Sequence, residues 1–159
     1  MVAASRYADQ YDGIIAGDPG FNLPKAAVAQ LWGVQQYAGL ATTTIGTTGL
    51  PDISTAFTPA ELSMVSTKIL DKCDALDGAT DGLIGDLKAC QTAFNVTRDV
   101  PTCSGARDGS CLSADQKTGI AKIFSGPTTS TGSKIYTSFP YDAGLAGVGG
   151  RVFCVQPRP

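Results

Sequence analysis

Apolar residues recur at helical spacing in three stretches of the chain. Over residues 25–39, KAAVAQLWGVQQYAG, Ala27, Leu31, Val34 and Ala38 fall along one face and Gly39 stands near the end, which predicts a helix. The single tryptophan, Trp32, reads as a packing residue. A second helix is announced by Thr58 as cap, Pro59 at the first position and Glu61 completing a capping box, after which Leu62, Val65 and Ile69 form the apolar stripe. A third starts at Ser113 with Gln116 at its third position, runs through Ile120, Ile123 and Phe124, and stops at Ser125-Gly126-Pro127.

The rest of the pattern is less regular. Residues 2–10 read as the end of a helix, and the apolar run GIIAG from Gly13 to Gly17 predicts a short buried parallel strand. Asp18-Pro19-Gly20 then breaks the chain. Residues 40–57 are Thr-rich and interrupted by Gly46, Gly49 and Pro51, so they read as loop, residues 128–133 as a polar turn, and IYTSFPYDAGLAG as strand or loop. No internal repeat is visible.

Between the second and third helices lies CDALDGATDGLIGDLKAC, from Cys73 to Cys90, which crowds Asp74, Asp77, Asp81 and Asp86 between two cysteines. Such crowding repels unless a cation neutralises it, and calcium takes six to eight oxygens in a flexible shell. Asp74, Asp77 and Asp81 offer carboxylates, the carbonyls of Ala79 and Leu83 are the intervening backbone donors, and Gly78 and Gly82 let the chain turn between them. The spacing is not that of an EF-hand. On spacing alone the segment reads equally well as two Asp-Gly turns.

Composition removes several classes of function. The net charge is −2, with 16% charged residues and no Lys/Arg cluster, which leaves no field for nucleic acid. No apolar run approaches the length of a transmembrane helix, and MVAASRYADQ lacks the pattern of a signal peptide. Cysteine spacings without C-x-x-C, in a chain with no histidine, argue against structural zinc. With no histidine and no G-x-S-x-G, a self-contained serine triad is excluded. Ser66 and Lys68 fall on different faces of their predicted helix, and nothing recognisable would activate Cys154. Asn95-Val96-Thr97 is a glycosylation sequon of the kind that arises often by chance.

Three segments together, YDGIIAGDPGFN (Tyr11 to Asn22), CDALDGATDGLIGDLKAC and CLSADQKTGIAKIFSGP (Cys111 to Pro127), resemble the tannase/feruloyl esterase family, which also contains mono-ester terephthalate hydrolases. They occur in the family's order and span most of residues 1–140. The resemblance implies an α/β-hydrolase fragment that is mostly lid domain, a mixture of helix and loop with few strands. Residues 1–24 would be a remnant of the hydrolase core after the nucleophile elbow, 25–148 a partial lid with its calcium loop at 73–90, and 149–159 an atypical tail. Calcium would be held by Asp74, Asp77, Ala79, Asp81 and Leu83, and the family pattern pairs Cys73 with Cys90 and Cys103 with Cys111.

Paired cysteines imply an oxidising compartment, so the expected location is secreted or periplasmic, with the export signal outside this chain. The family's nucleophilic serine would precede residue 1, and its acid and histidine would follow residue 159. The expected function is therefore that of part of a Ser-His-Asp carboxylic ester hydrolase acting on aromatic esters, inactive alone. A non-catalytic extracellular calcium-binding module is the alternative; neither reading involves nucleic acid or membrane.

Overall fold

The computed structural model describes residues 5–15 and 22–146. Among these residues the regular structure is helical: α1 (Leu23–Ala38), α2 (Pro59–Cys73), α3 (Leu87–Ala93), α4 (Val96–Asp99) and α5 (Ala114–Ser125). Single 3-10 turns stand at Ala8–Gln10, Ile53–Thr55, Asp74–Asp77 and Ala143–Ala146. The β-pairing described is confined to isolated bridges, Thr44 with Pro51, Thr102 with Leu112 and Thr128 with Lys134.

Both capping boxes form as expected. Thr58 Oγ1 accepts from the Glu61 amide at 3.2 Å while Glu61 Oε2 accepts from the Thr58 amide at 2.7 Å. The same exchange joins Ser113 and Gln116 at 3.1 and 2.9 Å. At the far end of α5, Gly126 has φ 78° with ψ 167°, a positive-φ conformation open to glycine because it has no Cβ.

Two expectations are corrected. Residues 13–15 form no strand and Ile15 is 99% exposed; residues 16 and 17 of that stretch lie outside the described residues, as do 2–4 of the expected 2–10 helix end, of which Ser5 and Arg6 are helical. A buried parallel strand exists only with neighbours to complete its ladder, and this segment has none among the described residues. Helix α1 forms, but it buries Ala29, Gly33 and Tyr37, leaving Ala27 and Leu31 exposed and Val34 and Ala38 half-buried. Helix α1 packs against α5, and Ala29, Trp32 and Gly33 line a small cavity there together with Ile123 and Phe139. Trp32 is thus a packing residue.

The core gathers Val65 and Ile69 of α2, Phe94, Val96, Val100 and Leu112 of the segments after α3, and Ile120 and Phe124 of α5. Tyr141 caps it edge-on, with ring centroids 4.8 Å from both Phe94 and Phe124. The 3-10 turn at Ala143–Ala146 lies along α2, where the Ala146 amide donates to Ser66 Oγ at 3.1 Å. Ser66 is therefore tied up in packing, and Lys68 pairs with Asp71 instead of with it.

A fully buried carboxylate, Glu61, sits where the N-terminal ends of α2 and α5 meet. Arg107 forks onto it, Nε to Oε1 and Nη2 to Oε2, both at 2.6 Å. Gln116 Nε2 adds a bond to Oε2 at 3.1 Å and another to the Ala56 carbonyl at 2.8 Å, which Arg107 Nη2 also reaches at 3.2 Å. Burial alone would raise the Glu61 carboxyl, but the bonds from Arg107, the Thr58 amide and Gln116 outweigh it and hold the group below its ordinary value. Lys117, also buried, donates to the Val100 carbonyl at 2.5 Å and Thr102 Oγ1 at 2.8 Å, fastening α5 to the end of α4.

Candidate metal centre

Helix α2 delivers the chain to Cys73, whose bond to Cys90 ties the end of α2 to α3 across the acidic loop, with Cα atoms 5.0 Å apart. Both sulfurs are buried. The second expected pair, Cys103 with Cys111, is also formed. Cys154 lies outside the described residues.

Inside the first bridge the carboxylates organise the backbone. Asp74 Oδ1 accepts from the amides of Asp81 and Gly82 at 3.2 and 3.0 Å, drawing the far side of the loop back onto the end of α2. Asp77 Oδ1 accepts from Ala79 at 2.9 Å and Oδ2 from Gly85 at 2.7 Å, and these amides hold its carboxyl below the ordinary value. Asp81 Oδ1 accepts from Leu83 at 3.0 Å. Gly78 and Gly82, at φ 93° and 80°, make the two Asp-Gly turns. Asp86 Oδ1 accepts from Ala89 at 2.8 Å and is the cap of α3, separate from the other three.

The loop is exposed and its donors are all oxygen, a chemistry suited to a hard cation. The carbonyls of Ala79 and Leu83 accept no hydrogen bond among the described residues, so both remain available. No three acidic or cysteine side chains converge on one point among the described residues. The donor chemistry fits, while amide hydrogen bonds, rather than a shared centre, set where the three carboxylates point. Gly85 is a participant that spacing did not flag: its amide is held so close that a Cβ there would run into the Asp77 carboxylate.

The sequon asparagine has a structural use. Asn95 Oδ1 caps α4, accepting from Thr97 and Arg98 at 2.9 and 3.2 Å. No helix among the described residues is long and apolar enough to cross a membrane.

The fold is one found in esterases. A crystal structure of an esterase from Aspergillus oryzae superimposes with a TM-score of 0.68 at 23% identity, covering 98% of this chain and 28% of that one. The sequence identifies the family within that class: residues 1–153 match the model for tannase and feruloyl esterase, and the chain belongs to that family. It is 38% identical over 160 residues to a mono(2-hydroxyethyl) terephthalate hydrolase of Piscinibacter sakaiensis, and 32% identical over 149 residues to a probable feruloyl esterase B-1 of Neosartorya fischeri. The chain spans 26% of the length of each of these relatives.

Proposed function

We propose that this chain is the calcium-held lid portion of a secreted carboxylic ester hydrolase acting on esters of aromatic acids, and that it has no hydrolytic activity alone. The observation that carries the reading is membership of the ester hydrolase family over residues 1–153, in a chain with no histidine to act as general base. A lid excludes water from the reacting ester and shapes access to it. Residues 25–148 are assigned to the lid and 1–24 to the neighbouring hydrolase core. Two disulfides support an oxidising compartment.

Asp74, Asp77 and Asp81, with the carbonyls of Ala79 and Leu83, are the residues that would hold calcium. Its contribution there is to neutralise the crowded carboxylates and stabilise the loop, not to take part in ester cleavage. At about a hundred times its dissociation constant, such an ion stabilises by about 2.7 kcal/mol. Calcium added to chelator-treated protein should therefore raise Tm by about 5–11 °C in a chain of this length. Asp81→Asn keeps an oxygen for the Leu83 amide but removes the charge, so it should leave the metal-free Tm nearly unchanged and abolish the calcium shift. An unshifted wild-type melt counts against the metal, and turnover of a feruloyl or other aryl ester above a matched blank counts against the inactive-lid reading.

A further inference from the structure

The two disulfides differ in accessibility and in what they restrain. Cys73 and Cys90 are fully buried, whereas Cys103 and Cys111 are half-buried at the ends of a loop whose Ser104, Gly105 and Ala106 are exposed. That loop carries Arg107, the counter-charge to buried Glu61 46 residues upstream. Its base is stitched by the Cys103 amide to the Leu112 carbonyl at 2.9 Å and the Leu112 amide to the Pro101 carbonyl at 3.0 Å. Among the described residues, Arg107 supplies the hydrogen bonds that run from residues 104–110 to the rest of the chain.

We propose that Cys103–Cys111 is a redox-addressed latch, whose reduction frees residues 104–110, withdraws Arg107 from Glu61 and loosens the joined N-terminal ends of α2 and α5. A dithiol is the reductant: it supplies two electrons and two protons, the protein S–S bond breaks to two thiols, and the dithiol closes to its own disulfide. Attack needs access to a sulfur, which the exposed loop grants and the buried Cys73–Cys90 bridge denies. While the bridge stands, closure of the loop is built into the covalent chain. Once it is cut, ordering of the loop rests on the Arg107 bonds, the backbone pair at its base and the fit of Gly109 against Ala60, and each opening that withdraws Arg107 leaves Glu61 without its counter-charge.

The test is graded dithiothreitol treatment of the whole chain, with alkylation mapped by peptide mass spectrometry and amide hydrogen exchange followed in parallel. Cys103 and Cys111 should be alkylated at concentrations that leave Cys73 and Cys90 protected. Exchange in peptides covering 56–62 and 113–117 should then quicken about tenfold or more, while 89–94 stays unchanged. In Glu61→Leu/Arg107→Met the reduction-dependent change should largely disappear. Prior labelling of Cys73 and Cys90, exchange unmoved by reduction, or an equal change in the double variant would each overturn the latch. Should the double variant not fold, Cys103→Ser/Cys111→Ser without reductant must reproduce the fast exchange, and slow exchange there overturns the proposal as well.

Discussion

Arg107→Met removes both guanidinium donors while keeping an apolar stem of similar reach. Among the described residues, Glu61 Oε1 then loses its one partner, whereas Oε2 keeps the Thr58 amide and Gln116, and the Ala56 carbonyl keeps Gln116. Removing one member of a buried ion pair costs about 3–5 kcal/mol. The retained donors, and an Arg107 side chain that is itself 26% exposed, place this case near the lower end, about 3 kcal/mol. At about 2–4 °C per kcal/mol for a chain of this length, Tm should fall by about 6–12 °C.

The pH dependence separates this cause from a simple packing loss. In the wild type the Glu61 carboxyl lies below its ordinary 4.5, so its contribution is present above that value and fades as pH falls through the lowered one. Without Arg107, the effect of burial is less opposed and the carboxyl moves up; the variant is then relieved as the group protonates, and its deficit should shrink as pH falls towards the carboxyl range. Urea and thermal unfolding followed by circular dichroism measure both quantities. Glu61→Leu/Arg107→Met should recover much of the loss, since an apolar pair replaces an orphaned charge. A deficit below about 1 kcal/mol, or one that does not change with pH, would refute the assignment of Arg107 as the essential counter-charge.

Asp99, whose side chain is 7% exposed, is drawn to about 2 by the Arg98 guanidinium, with the Asn95 amide also opposing the effect of burial. Its contribution relative to Asp99→Asn should be full above the ordinary 3.8 and lost as pH falls through about 2, as acid titrations of both proteins will show. Gly109 has φ 90° and a Cβ there would lie 2.7 Å from that of Ala60, so Gly109→Ala should cost about 1–3 kcal/mol in urea unfolding. Gly105→Ala in the same loop meets open space and is the control, expected within about 0.5 kcal/mol of wild type.

The helices at Pro59 and Ala114 were legible because a capping box and an apolar stripe act within a few residues of each other in both, with a Gly-Pro stop closing the second. Helices α3 and α4 were not. They are seven and four residues long, too short to show a period, and they are held by Asp86, Asn95 and the core contacts of Cys90, Phe94 and Val96. The caps offered a partial signal, but Asp86 stood among other acidic residues and Asn95 inside a sequon, each inviting another interpretation.

The sequence by itself determined which segments could be helices, which turns needed glycine, where oxygen donors crowd, and that no imidazole base exists in the chain. Those properties depend on neighbouring residues or on composition alone. Tertiary structure decided which face of α1 is buried: the face carrying Ala29, Gly33 and Tyr37 is packed away while the larger Leu31 is left exposed. It also decided the partner of Glu61. The capping box specified the residue's local hydrogen bonds, but only folding brought Arg107 across 46 positions to neutralise it, and nothing in a linear pattern records such an approach.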